Sequence, residues 1–411
     1  MQQRIELMQL DESLSSEDIE LAQQLIHQEQ LELDGCPEEI LHFCRSKIEL
    51  AAENITFFVK QSFIHHQQGY PSSKSPVLQL SADKLTSQFK ALRAFYDYQP
   101  GLIWELESSA PDVLLWFVLD AQNLLFSGKR IETERDRLIH LFLFQVANQL
   151  PTHYVTFIFA QVPGPLINIL LAKWIEGGDG LQTKGCMYLA SRQGLSQSLV
   201  KHWVRTQKMP EKQGHAFLSL NGVSESTEWL EENSLSDNLF ELLLAKQEKR
   251  AWMRRNFEIS YLTEEQGLYA RMLDFRELEH FDLDSQGAPM HLVIGARFDW
   301  CSLVLEHLQQ LSEPEIWLEA LYVIYGDKLP CRPSQLDIDY DFDEVCLKIE
   351  DWIEQGGHLF SGQLRMGDAM NFSSTIEAMR SEHIGFRTRE WLWRQICLLG
   401  CIYVPWSLIY H

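Results

Sequence analysis

The sequence predicts an all-α protein: a HEAT- or armadillo-like α-solenoid of helical pairs, with an N-terminal helical domain ahead of it. Three observations predict this. The chain has 411 residues, 45% of them hydrophobic and twelve of them tryptophan, enough apolar surface for two cores or one elongated array. Apolar residues recur at helical spacing behind capping patterns. In the second half, glycines return at intervals near thirty residues, each closing one apolar run and opening another.

Residues 1 to about 70 read as helices. "SSEDIELAQQLIHQEQ" opens with Ser15 or Ser16 followed by acids in the first turn, a helix start. "CPEEILHFCRSKIEL" sets Ile40, Phe43, Cys44, Lys47 and Ile48 at helical spacing, with Pro37 at the beginning. "GYPSSKSP", Gly69 to Pro76, is the linker candidate. From Pro111, "PDVLLWFVLDAQNLLFSG" and "DRLIHLFLFQVANQL" read as buried helices, with strands as the alternative that periodicity leaves open. Tyr154 to Trp174 is long enough to span a bilayer, but Gln161, Asn168 and Pro163-Gly164-Pro165 interrupt it. Two buried elements joined by a turn are expected there.

Beyond Gly177 the repeat pattern sets in. One helix is expected to end near Gly194 and the next to carry Leu195, Leu199 and Trp203 on one stripe. Gly222 closes the following run, and Gly295, Gly326 and Gly400 close later ones. Phe298, Cys301, Val304 and Leu308 share a face, as do Trp317, Leu321 and Ile324. Glycine just past a helix end takes the left-handed conformation that other residues resist, so a tight turn into the next helix follows. Residues 231–285 fit this pattern poorly. The expected domains are 1–160, helical, and 161–411, HEAT-like.

Composition narrows the function. With 58 acidic and 35 basic residues the formal charge is -23, a field that repels phosphate backbones. No nucleic-acid partner is expected, nor insertion into a membrane. "KQEKRAWMRR", the most basic stretch, reads as a solvated helix face. The eight cysteines lack any CxxC spacing and read as reduced, buried thiols of a cytoplasmic protein. Cys397 and Cys401, four apart, are expected to face the same way in a packed helix.

No nucleophile elbow, HExxH or phosphate-loop motif is present. No catalytic residue, cofactor or metal is assigned, and the protein is not expected to be an enzyme. "DIDYDFDE" begins like a calcium loop, with Asp337, Asp339, Asp341 and Asp343 at alternate positions. Phe342 stands where the loop needs glycine and Lys348 where it needs a bidentate glutamate, which excludes an EF-hand. The four aspartates are therefore read as an exposed acidic loop and partner contact, with a nonstandard cation site as the alternative.

From "WLEALYVIYGDKLP" onward the order of features resembles the C-terminal part of a bacterial HEAT-repeat family whose genes lie near type VI secretion clusters. The carrying residues are Gly326, the acids Asp337 to Asp343, Trp352, Phe360 with Gly362 and Gly367, then Arg387 and Arg389. The resemblance covers about residues 180–411. Residues 1–150 do not carry the family's opening pattern, and Trp352 stands alone where members have two tryptophans. The family has no established catalytic residues, so the resemblance implies an accessory or adaptor role, with a secretion-system component or effector as the protein partner. Two alternatives share the acidic composition: an immunity or inhibitor protein that binds a secreted toxin, and an enzyme with its site in a groove between domains.

Overall fold

A computed structural model describes residues 16–67, 76–126, 134–161, 165–177, 182–275, 278, 280–285, 287–333, 342–381 and 383–404. These residues are helical except for short connections and one small β-hairpin. The all-α class therefore holds. The chain divides into two compact units, the main division falling after Asn221.

The first unit contains α1 (Ser16–Leu31), α2 (Glu38–Gln67), α3 (Pro76–Tyr98), α4 (Pro100–Trp104), α5 (Leu106–Ser109), α6 (Pro111–Phe126) and α7 (Glu134–Gln149). It continues with α8 (Thr152–Gln161), α9 (Pro165–Gly177), α10 (Gln182–Ser191), α11 (Gln197–Arg205) and α12 (Glu211–Leu220). Helix α1 lies on α4 and α7, α10 lies on both α8 and α9, and α11 pairs with α12. The boundary expected at 160/161 falls at the last residue of α8, and α10 ties α8 and α9 into one unit that continues to Asn221. Tyr154 to Trp174 forms two helices, as its internal prolines require. Among the described residues no helix is long and apolar enough to cross a membrane.

The second unit contains α13 (Ser224–Asn233), α14 (Leu239–Ala245), α15 (Lys249–Asn256), α16 (Glu264–Met272), α17 (Ala288–Gly295), α18 (Phe298–His307) and α19 (Pro314–Tyr325). Then come α20 (Phe342–Glu354), the strands β1 (Leu364–Arg365) and β2 (Asp368–Ala369), α21 (Phe372–Arg380) and α22 (Phe386–Gly400). Successive helices pack on one another, α13 on α14 and α16 on α17, as stacked helical pairs do. Helix α22 also returns to α14 and α17. The poor repeat pattern of residues 231–285 corresponds to short helices separated by turns.

One polar device recurs in both units. Glu29 accepts the Trp104 indole N–H at 2.8 Å and is clasped by Arg135. Glu176 accepts the Trp203 indole at 2.6 Å and pairs with Lys208 and His202. Glu231 takes the Trp252 indole and pairs with Lys246 at 2.8 Å. A tryptophan buried in a helical core must satisfy its N–H, and a carboxylate does so only when a cation offsets its own desolvation. Burial alone would raise the Glu176 carboxyl, but Lys208, the Trp203 indole and His202 outweigh it and hold it below its usual value.

Three of the expected helix-ending glycines act differently from the expectation. At the ends of α10, α17 and α22 the left-handed residues are Gln193, Ala296 and Cys401, not Gly194, Gly295 and Gly400. A Cβ on Gly295 would stand 2.1 Å from the Trp300 ring, and one on Gly194 2.4 Å from Leu189. Glycine is needed there for close approach rather than for a positive φ. Gly222 and Gly326 do have positive φ.

Candidate protein-docking site

The expected partner contact begins in residues that lie outside the described ones: Asp337, Asp339 and Asp341. Asp343 is described, and it sits exposed in the first turn of α20. Acids there complement the positive end of the helix dipole. Val345, Cys346 and Ile349 face inward, and Trp352 meets Tyr325 edge-on, with ring centroids 4.9 Å apart.

The outer side of α20 carries Asp343, Glu344, Glu350, Asp351 and Glu354, all exposed. Lys348 is the one cation of this side, and it pairs with Glu344 at 2.8 Å. That pairing holds the Glu344 carboxyl below its usual value. In the midst of the carboxylates Leu347 is 61% exposed. The result is an acidic helical face with an apolar centre, suited to a basic surface that carries an apolar contact of its own. Position Lys348, which excluded a calcium loop on sequence grounds, is helical here. Among the described residues no cluster of His, Cys, Asp and Glu is placed to hold a metal ion.

Of the residues that carried the family resemblance, Trp352 and Phe360 meet at Tyr325. The Tyr325 hydroxyl donates to the His358 carbonyl at 3.0 Å. The two-residue loop of the hairpin, Met366-Gly367, has positive φ at both positions, the turn that matches strand twist. This loop caps α19: Met366 and Gly367 donate their amides to the Val323 and Ile324 carbonyls at 2.9 and 2.8 Å. Gly362 has open space around it. Arg387 forms a surface pair with Glu264 at 2.6 Å, while Arg389 is fully buried and donates to the Ser381 carbonyl. These contacts hold the second unit together.

Sequence reasoning missed Arg365, which the hairpin buries completely. It donates to Gln395 Oε1 at 3.2 Å and to Met370 Sδ at 3.3 Å, and its Nε and Nη1 find no partner among the described residues. Desolvation pushes its guanidinium down to about 9. Its chain neighbours Leu364 and Met366 donate to Ala296 and Val323, at the ends of α17 and α19. The C-terminal ends of two helices therefore flank the backbone at Arg365. The only sequence signal is the Met-Gly pair between "LR" and "DA", a hairpin turn.

The cysteine expectation needs correction at Cys36, which is half-buried, and at Cys401. All eight are free, and Cys44, Cys186, Cys301, Cys331, Cys346 and Cys397 are buried. Cys401 is exposed and does not share a face with Cys397, because α22 ends at Gly400 and Cys401 turns left-handed. Its sulfur lies 3.3 Å from Lys249 Nζ.

No family model, no curated protein and no solved structure matches the chain.

Proposed function

We propose that the protein is a non-catalytic scaffold or adaptor that holds a basic partner protein on the acidic face of α20, and that it serves a bacterial type VI secretion system from the cytoplasm. The observation that carries the binding reading is the α20 face itself: five exposed carboxylates, one paired lysine, and the exposed Leu347 among them. An acidic protein with such a face attracts a basic partner by steering, and the apolar centre supplies contact once docked. The link to secretion rests on the family resemblance of residues 180–411.

The test is a pull-down from the source cell with the full chain as bait, beside a variant carrying Asp343→Lys, Asp351→Lys and Glu354→Lys. The expected result is a secretion-system component recovered by the native chain and lost from the variant. A toxin recovered in its place would assign the inhibitor reading. Equal recovery of every protein by both baits contradicts docking at α20.

A further inference from the structure

The end of α22 meets the start of α15 at an exposed thiol and a buried amine. Cys401 is exposed, and its Sγ lies 3.3 Å from Lys249 Nζ. Lys249 is only 8% exposed, although it opens α15, where the helix dipole disfavours a cation. Its amine donates to the Lys246 carbonyl at 3.0 Å. Among the described residues no carboxylate pairs with it. A lysine this deeply buried ordinarily has an acidic partner; Lys249 has a sulfur in that place.

Both groups are held where they stand. The Phe240 and Trp393 rings, with centroids 5.1 Å apart, set the last turns of α22 against α14. Past the helix end, the Ile402 amide donates to the Cys397 carbonyl at 3.1 Å and the Trp393 indole to the Val404 carbonyl at 2.7 Å. These bonds fix the left-handed turn at Cys401 from both sides. On the other element, the Lys246 carbonyl steers the amine, and the Lys246 side chain is bound by Glu231 at 2.8 Å.

We propose that Lys249 and Cys401 form an oxidative modification site, in which hydrogen peroxide converts the pair into a covalent nitrogen–sulfur crosslink. In the first step the Cys401 sulfur attacks one peroxide oxygen and the O–O bond breaks. Sulfur is oxidised to the sulfenic acid, and the other oxygen leaves as water with the thiol proton. In the second step the Lys249 amine, after giving one proton to solvent, attacks the sulfenic sulfur. The N–S bond forms, the S–O bond breaks, and the hydroxyl departs as water with a second amine proton. Thiol, ammonium and peroxide thus give one N–S bond, two waters and one proton. The reacting atoms already stand at near-attack separation, whereas Cys397, the neighbouring thiol of α22, is buried. The product removes a buried charge and joins residues 152 positions apart, which restrains the unfolded chain. Thiol reductants reverse it.

The test is peptide mass spectrometry of the full chain after limited treatment with hydrogen peroxide, beside Lys249→Arg and Cys401→Ser. The native chain should yield a tryptic species joining Gln247–Arg250 to Gln395–His411, lighter than the two peptides together by two hydrogens and split by dithiothreitol. Lys249→Arg keeps the charge and should stop at a sulfenic acid on Cys401 that dimedone traps. Cys401→Ser should give neither product. The oxidised native chain should also melt at a higher temperature than the reduced one, a rise absent from Cys401→Ser. Should Lys249→Arg fail to fold, the native chain decides alone. Sulfenic or sulfinic acid on native Cys401 without the crosslink overturns the proposal, as does a disulfide between Cys397 and Cys401. A link that retains an oxygen overturns the N–S bond. None of these outcomes bears on α20, whose charge-reversed variant should crosslink as the native chain does.

Discussion

The amide of Met366 donates to the Val323 carbonyl at 2.9 Å, so a hairpin loop closes the last turn of a helix more than forty residues earlier in the chain. This capping leaves no space for side chains. A Cβ on Gly326 would stand 2.7 Å from the Met366 carbonyl carbon and oxygen, and one on Gly367 would stand 2.7 Å from the Tyr325 oxygen. Gly326 also holds φ 58 and ψ -139, a region essentially confined to glycine.

Gly326→Ala and Gly367→Ala should each destabilise the protein by about 3 kcal/mol. Gly362→Ala provides the comparison, because its φ is also positive but nothing lies near it. It should lose about 1 kcal/mol. Urea titration of the three variants checks the ranking, and equal losses would remove close approach as the reason for Gly326 and Gly367.

The Glu176 carboxylate holds an indole and two basic side chains. Glu176→Ala should lower stability by about 2 kcal/mol, because it leaves the Trp203 N–H without its acceptor and Lys208 with only the backbone carbonyl of residue 176. Trp203→Phe removes the donor as well as some volume. The double variant should therefore lose less than the sum of the two single losses. Additivity within error would show that the indole and the carboxylate do not act as a pair.

Acid should destabilise the fold in two stages. His140 and His291 are both lowered to about 4, His140 by burial, which outweighs the opposing pull of Asp136, and His291 by burial and then by Arg271. The unfolded chain binds these protons more readily, so stability falls as the pH drops from about 6.5 to about 4. Each histidine contributes at most about 3 kcal/mol to that fall. Glu176 and Glu231 sit below their usual value, and their contribution is lost at lower pH, below about 4.5. Melting curves of native protein and His140→Gln between pH 7 and pH 4.5 check the first stage. A variant with the native slope would acquit His140.

Thiol labelling should single out Cys401. Burial pushes Cys186 and Cys301 up to about 12 and Cys331 up to about 11, so both access and thiolate fraction are small there. Peptide mass spectrometry after brief alkylation of the native protein should find Cys401 modified well before these three. Early labelling of Cys301 would contradict the packing of α18.

Much of the fold could be read from the chain. Trp317, Leu321 and Ile324 are buried on one face of α19, and α8 and α9 are separate helices, as the Pro-Gly-Pro sequence predicts. Reading failed where one helix has two apolar sides. Helical spacing groups Ile40 and Phe43 with Cys44 and Ile48, yet the first two are exposed and the last two buried, because exposed apolar positions and a core stripe at similar spacing look alike in one dimension. Arg365 was invisible for a different reason. An arginine in a short polar stretch signals solvent, and only the fold shows that the hairpin buries it. The acidic segment was legible as charge, but Leu347, which makes the face of α20 more than a solvated surface, follows only from its exposure.

The central claim is electrostatic docking at α20. Calorimetric titration of the partner recovered by pull-down, at roughly 50 mM and 500 mM salt, tests it most directly, since exposed charges are largely screened at the higher concentration. The account predicts that affinity falls at least tenfold between the two. An affinity unchanged by salt would contradict it.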